Sequence, residues 1–240
     1  EPHPNLPGTI YTAAAAIEAA GGHALPLVGD IRDDEFVQSA VAQTSEQFGG
    51  IDIVVNNASA IDLSRTEDIS MKKYDLMTQI NSRGAFLLSK LCIPHLRAAA
   101  NPHILTLSPP ILTDPKWFGT FTAYSIAKYG MSLVALGLSE ELRSDSIASN
   151  ALWPRTAIDT AAVRNVVGAG LEKHSRTVEI MADAAYWILT QDSREVTGNF
   201  FIDDDVLESA GVTDLSVYLN GGTADQLALD FWVEPKGVVG

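Results

Sequence analysis

Short apolar runs alternate along this chain with longer stretches in which apolar residues recur at helical spacing. Four of the runs are short and mostly apolar, which is typical of strands in a buried sheet. They lie at residues 51–55, 104–107, 147–152 and 199–202. The run at 51–55 is β-branched and is predicted to be buried on both faces.

The stretches between these runs have the periodicity and end signals of helices. Helices are predicted at about 9–20, 33–48, 70–100, 122–143 and 182–190. Strands that alternate with helices imply right-handed crossovers and a parallel, doubly wound sheet. We therefore predict a single α/β domain over 1–240. A C-terminal tail, 203–240, is expected to pack on it as irregular cover with a short strand at 216–219.

The composition limits the classes of partner. A length of 240 residues with 46% hydrophobic content is enough for one sizeable core. The net charge of −14 argues against nucleic acid or an anionic membrane surface as the main partner. No apolar stretch reaches the roughly 18 residues that span a bilayer, and the first residues lack a signal-peptide pattern. We expect a soluble, cytoplasmic protein with no metal site, in which the lone Cys92 is a buried thiol.

Polar residues follow several of the apolar runs. Asp30, Asn56, Asn57 and Ser108 stand at such positions, and so does the segment 154–156. In a parallel sheet, ligands bind beyond the carboxyl ends of the strands, so these residues predict one shared crevice.

Tyr124 and Lys128 lie four residues apart in a predicted helix and therefore share one of its faces. A nearby ammonium group favours the phenolate and lowers the pKa of a tyrosine, which would make Tyr124 a general acid/base. By spacing alone, the signal is weak, because most such pairs are a half-buried tyrosine beside a solvated lysine. The helix follows the Ser108 strand, so both side chains can face the crevice.

Several motifs together resemble the short-chain dehydrogenase/reductase family. They are Val-Gly-Asp-Ile-Arg-Asp around Asp30, Asn-Asn-Ala-Ser at 56–59, Ile-Asn-Ser-Arg-Gly around Asn81, Tyr124-x-x-x-Lys128, and the strand at 196–203. The likeness covers nearly the whole chain in the family's order. It implies a Rossmann-like fold.

The resemblance implies catalytic roles for four residues. Tyr124 would be the proton donor or acceptor, and Lys128 would lower its pKa and bind the nicotinamide ribose. Asn81 would hold a water of a proton relay, or would simply be a buried amide that ties helix to strand. Ser108 would be the catalytic serine, but Pro109 stands at the family's usual serine position. An ordinary turn residue is the alternative for Ser108.

The resemblance also implies a nicotinamide cofactor, with NADP(H) favoured and NAD(H) possible. Asp30 would bind the adenine edge and Asn57, with Ala58, the adenine-ribose side. Pro154 and Thr156 would lie at the nicotinamide end. Asp30 could instead cap the next helix, and Asn57 could be a turn residue.

The family's glycine-rich phosphate loop is not found in this sequence. Its first strand, the helix after that strand and its second strand are also not found, so we expect the domain to be N-terminally incomplete. Arg155 replaces the glycine that usually follows Pro154. It could contact a phosphate or an acidic substrate group, or could be solvated.

The resemblance implies an oxidoreductase that interconverts a secondary alcohol and a carbonyl compound. A hydrophobic substrate is indicated by apolar residues near the expected mouth, which core packing would explain equally well: Ile111, Leu112, Trp117 and Phe118. Alternatives are an inactive scaffold of the same fold and, more weakly, an extended-type relative acting on nucleotide sugars. A homodimer or homotetramer through the Tyr124 helix is expected from its small and apolar residues, Gly130, Leu133, Ala135 and Leu138.

Overall fold

Four parallel strands lie side by side in their order along the chain. The computed structural model describes residues 8–161, 163–164 and 170–236. The strands are β1 (Ile53–Asn56), β2 (His103–Leu107), β3 (Ala148–Trp153) and β4 (Phe200–Ile202). Helices connect each strand to the next, as a parallel ladder requires. The predicted single α/β domain with a parallel sheet is therefore confirmed.

The described α-helices are α1 (Ile10–Ala19), α2 (Asp34–Phe48), α3 (Met71–Thr78), α4 (Gly84–Leu96), α5 (Thr122–Glu141), α6 (Glu179–Leu189) and α7 (Asp203–Ser209). Helices α2, α4 and α5 cover one face of the sheet and α6 and α7 the other, whereas α1 has no buried residue. Successive strand residues point to opposite faces. Ile104 of β2 packs against α2, α4 and α5, whereas the next residue, Leu105, packs against α6 and α7. This two-sided burial explains why the run is continuously apolar.

Strand β1 does not have the expected burial on both faces. Val54 is buried, whereas Ile53 and Val55 are 43% and 45% exposed. In the described part of the chain β1 pairs only with β2, so it forms an edge of the sheet. The apolar run 24–28 forms no strand beside it.

The helix predicted across 70–100 contains a π-helical turn, Gln79–Arg83, between α3 and α4, and α4 ends at Leu96. Helix α5 approaches this turn closely at Gly130. A Cβ on Gly130 would lie 2.6 Å from Cβ of Ser82. Gly130 therefore allows α5 to pack closely against the π turn of the same chain.

The thiol of Cys92 is buried in α4, and burial raises its pKa to about 11. This confirms the expectation of a structural thiol. Across the described ranges, the structure contains no helix both long and apolar enough to cross a bilayer.

The C-terminal tail is more ordered than expected. It begins with α7, and the strand predicted at 216–219 is instead a 3₁₀ turn, Ser216–Tyr218. Residues 228–234, called here the C-terminal strap, then return along the segment that follows β3. The backbone N–H of Ala157 donates to the Ala228 carbonyl, and that of Asp230 donates to the Arg155 carbonyl. These bonds fix the strap beside the carboxyl end of the sheet.

Candidate active site

A cavity of about 420 Å³ lies beyond the carboxyl ends of β1, β2 and β3. Most of its wall is apolar, with contributions from Leu107, Trp153, Ile158, Met181 and Phe231. Its polar lining consists of Asn57, Ser59, Tyr124, Lys128, Thr160 and Asp230. A cavity therefore lies at the predicted edge of the sheet, but among the residues predicted to share it only Asn57, Pro154, Tyr124 and Lys128 line it.

Helix α5 carries Tyr124 and Lys128 into this cavity. Both side chains are buried, because Ala127 and Met131 hold this stretch of α5 in the core. Lys128 Nζ donates a hydrogen bond of 2.7 Å to the Leu107 carbonyl oxygen at the end of β2. It also lies 4.9 Å from the centroid of the Trp153 ring, within range of a cation–π interaction. Burial lowers the pKa of Lys128 to about 8.

The pKa of Tyr124 shifts in the direction opposite to the sequence-based expectation. Burial raises this pKa above its ordinary value of 10.0, and the negative charge of Asp230 raises it further. Desolvation of the phenolate, and not the ammonium group of Lys128, thus sets the direction of this shift. At neutral pH, Tyr124 is therefore a protonated phenol that can donate a hydrogen bond or a proton.

Asn81 lies in the π turn and is fully buried. Its Oδ1 accepts a hydrogen bond from the Ala60 N–H at 2.7 Å, and its Nδ2 donates to the Ala60 carbonyl at 3.1 Å. Both ends of the amide thus fix the loop that follows β1. This geometry matches the buried-amide alternative, and a water-holding role stays a prediction.

Ser108 is buried directly after β2. Its hydroxyl has no hydrogen-bond partner among the described residues, and it is its neighbour Leu107 that lines the cavity. The adjacent Pro109 carbonyl accepts a hydrogen bond from Ser132. A catalytic role for Ser108 stays a prediction.

Asp30 is engaged with its neighbour Arg32 through both the backbone N–H and the guanidinium group. This pairing lowers the pKa of Asp30 to about 2. The helix-cap alternative is wrong for Asp30, because Asp33 caps α2 by accepting from the N–H groups of Glu35 and Phe36.

The other predicted cofactor residues are divided between two places. Asn57 and Pro154 line the cavity, and Asn57 also borders a smaller pocket with Ala58. Thr156 is buried outside the cavity lining, and its hydroxyl has no partner among the described residues.

Arg155 is neither solvated nor free to meet a phosphate in this structure. Its Nε donates to both carboxylate oxygens of Asp204 at 2.8 Å, and its terminal nitrogens bond Asp205 and the Glu234 carbonyl. The guanidinium therefore ties the end of β3 to α7 and the strap.

The apolar residues predicted near the substrate mouth belong to the core instead. Leu112, Trp117 and Phe118 pack in the aromatic cluster around Tyr129 and Trp232. The Phe118 and Tyr129 ring centroids are 4.8 Å apart. None of the predicted mouth residues, Ile111 included, is part of the described cavity wall.

Sequence reasoning missed the strap as part of the site. Asp230 and Phe231 line the cavity, and the ring centroid of Trp232 lies 5.4 Å from that of Tyr124 and 5.6 Å from that of Trp153. One signal was available in the sequence. Asp230 is the only charged residue in the apolar run 227–233, and a lone acid in such a run must find a partner or a function.

Comparison with known proteins agrees with this architecture. A family model described as enoyl-(acyl carrier protein) reductase matches residues 8–205. Hydroxysteroid dehydrogenase-like protein 2 is 59% identical in Danio rerio and 51% identical in Homo sapiens, over 218 residues in each case. Each match covers 91% of this chain and 52% of the relative, so the chain spans about half the length of these curated relatives.

A solved structure gives the same result in three dimensions. The crystal structure of a short chain dehydrogenase from Mycobacterium thermoresistibile superposes with a TM-score of 0.92 at 56% sequence identity. The match covers 99% of this chain and 85% of that chain. These identities and coverages, together with the parallel sheet and the Tyr124–Lys128 pair in its crevice, show that this chain belongs to the short-chain dehydrogenase/reductase family.

Proposed function

We propose that this protein is an NAD(P)-dependent oxidoreductase that interconverts a secondary alcohol and a ketone or aldehyde, with Tyr124 as general acid/base. One observation carries the proposal. Tyr124 and Lys128 are buried side chains one helical turn apart, and both line the cavity at the carboxyl edge of the sheet.

The residues of the chain would handle the proton and the position of the substrate. The protonated phenol of Tyr124 would donate to the substrate carbonyl oxygen during reduction and accept a proton from the alcohol during oxidation. Lys128, held by the Leu107 carbonyl, would place a positive charge beside the reacting oxygen. When bound, the nicotinamide group supplies or accepts the hydride.

The cavity fits the nicotinamide end of such a cofactor. Its volume lies within the roughly 300–1,000 Å³ of typical small-molecule sites. Asn57, Lys128 and Pro154 offer polar and backbone groups along its wall. Thr156 would act from outside this wall, where its buried hydroxyl has no partner among the described residues. Asp30 and Ala58 would serve the adenosine side. NADP(H) remains the favoured form, with NAD(H) possible.

The predominantly apolar wall supports a small hydrophobic substrate.

Self-association also stays part of the proposal, but through a different set of α5 residues from those predicted. Leu133 on α5 is 61% exposed and Ile126 is also exposed, whereas Ala135 and Leu138 are buried in the core. A homodimer or homotetramer would therefore use the outward face marked by Ile126 and Leu133.

One observation favours the inactive-scaffold alternative. Ser108 is not among the described residues that line the cavity, and this supports the alternative in which a positioning hydroxyl is lost. Loss of one such group weakens catalysis without abolishing it, and the buried Tyr124–Lys128 pair has no evident use in a pure scaffold.

Titration of the purified protein with NADPH and NADH, followed by energy transfer from tryptophan, tests the first part of the proposal. A panel of hydrophobic ketones and secondary alcohols then tests turnover. We expect Tyr124→Phe to bind the cofactor normally but to lose about 10²- to 10⁴-fold in kcat/KM, because the proton donor is removed.

Tyr186→Phe is the matched control, since Tyr186 is an exposed tyrosine on α6. It should retain the activity of the parent protein. Cofactor binding without turnover of any compound in the panel would favour the scaffold reading, and an active Tyr124→Phe variant would refute the assignment of Tyr124.

A further inference from the structure

Asp230 is the only carboxylic acid among the described residues that line the catalytic cavity. The strap fixes its position. Its backbone N–H donates to the Arg155 carbonyl at 2.9 Å, and its Oδ1 accepts from the Phe231 N–H at 2.7 Å. The next peptide is held as well, because the Trp153 indole N–H donates to the Phe231 carbonyl.

We propose that Asp230 is a third ionisable group of the active site, a positioning residue that shares the cavity with Tyr124 and Lys128 and whose charge acts on the proton chemistry of both. The inference rests on the proposed function, since it assigns a role within the same site. Its physical basis is that one carboxylate lines the same mostly apolar cavity as a phenol and an ammonium group.

The charges around Asp230 come from two neighbouring elements. Helix α5 presents Lys128 and Tyr124, and the start of α7 presents Asp203. The guanidinium of Arg155 is directed to Asp204 and Asp205, so only its backbone carbonyl serves the strap. Among the described residues that line the cavity, Lys128 is therefore the only cation that can balance the charge of Asp230.

The electrostatic consequences follow from this arrangement. Burial, with a smaller contribution from the charge of Asp203, raises the pKa of Asp230 to about 7, and the hydrogen bond from the Phe231 N–H and the charge of Lys128 both oppose this rise. In return, the negative charge of Asp230 raises the pKa values of Tyr124 and Lys128. An ionised Asp230 thus favours the protonated forms of Tyr124 and Lys128, and in the proposed mechanism a protonated Tyr124 is needed to reduce a carbonyl.

Carboxyl titration by NMR tests the arrangement without any need for turnover. In protein labelled with carboxyl-¹³C aspartate, we expect one resonance with a midpoint near pH 7 that disappears in Asp230→Asn. In Lys128→Met, the same resonance should titrate at higher pH, because the balancing cation is gone. An Asp230 resonance that titrates near pH 4, or a midpoint unchanged in Lys128→Met, would overturn the proposal.

The pH profile of catalysis tests the consequence. Asparagine keeps the Oδ1 that accepts from Phe231 but removes the charge. We expect Asp230→Asn to move the basic limb of kcat/KM for carbonyl reduction to lower pH by about one pH unit. Asp225→Asn is the control, since Asp225 is an exposed aspartate in the same tail, and it should leave the profile unchanged.

If Asp230 had a purely structural role, Asp230→Asn would lower stability or kcat but would leave the basic limb of the kcat/KM profile at the same pH. That result would refute the proposal. Failure of the proposed function would show as an absence of turnover in every variant. The NMR titration would still decide whether Asp230 faces Lys128.

Discussion

Helix α5 and the C-terminal strap both line the cavity around Tyr124, but they hold their positions in different ways. The 20 residues of α5 satisfy most of their backbone hydrogen bonds within the helix. The strap has no regular secondary structure, yet its Trp232 is only 3% exposed, as deeply buried as the core residues of α5.

The strap obtains its hydrogen bonds from other parts of the chain. Its backbone pairs with residues 155–157, the Trp232 indole N–H donates to the Trp117 carbonyl, and the Phe231 carbonyl accepts from the Trp153 indole. Buried backbone groups must be paired, and an irregular segment can pair them only through tertiary contacts. An element of this kind depends on the rest of the fold for its position.

The largest expected effect comes from removing the anchor of the strap. Trp232→Ala should lower the free energy of unfolding by about 3–5 kcal/mol, because it removes a large buried side chain and leaves the Trp117 carbonyl without its donor. Trp232→Phe keeps an aromatic ring and should cost about 1 kcal/mol for the lost hydrogen bond alone. Urea denaturation followed by circular dichroism measures both changes.

Glu141→Ala at the exposed C-terminal end of α5 is the control for the helix, and its stability should stay within about 0.5 kcal/mol of the parent protein. If Trp232→Ala were equally mild, the strap would be a loose cover and the comparison with α5 would fail.

A second prediction concerns Lys128 of α5, whose pKa is affected by the charge of Asp230 in the strap. The pKa of Lys128 is lowered from 10.5 in the unfolded chain to about 8 in the fold, so the folded state binds its proton less tightly. The resulting destabilisation is fully present below pH 8 and is relieved as the pH rises from 8 toward 10.5. Lys128→Met has no ionisable group at this position and therefore lacks this pH-dependent destabilisation.

Between pH 7 and 9.5, the stability of the parent protein should therefore rise relative to Lys128→Met by about 2 kcal/mol. Urea denaturation of both proteins at the two pH values gives the difference, in which the titrations of groups distant from Lys128 cancel. The higher pKa expected for Asp230 in Lys128→Met destabilises that variant further as the pH rises, so it adds to the difference in the same direction. A difference that does not change with pH would mean that the Lys128 ammonium is solvated rather than buried.

The smallest expected effect tests whether the end of β2 contributes as well. Because the Ser108 hydroxyl is buried outside the cavity wall, Ser108→Ala should lower kcat/KM by much less than the roughly 10²-fold that loss of a general acid/base costs. Steady-state kinetics across the pH range measures it. A loss as large as that of Tyr124→Phe would place Ser108 among the catalytic residues and shift part of the chemistry away from α5.

The sequence by itself determined the sheet, α5 and the pair that α5 carries. Hydrophobic periodicity and helix end signals are local, so they located β2, β3 and the major helices to within a few residues, and a spacing of four residues was enough to place Tyr124 and Lys128 on one face. Local signals failed where a side chain has several available partners. They did not reveal that Asp30 pairs with Arg32, or that Arg155 pairs with Asp204.

Only the tertiary structure decided the exposure of β1, the burial of Ser108 and the return of the strap to the active site. Burial depends on which distant segments cover a residue, and the direction of a pKa shift depends on that burial. Tyr124 shows this most clearly: its spacing from Lys128 indicated a lowered pKa, whereas desolvation and the charge of Asp230, more than 100 residues away in the chain, raise it.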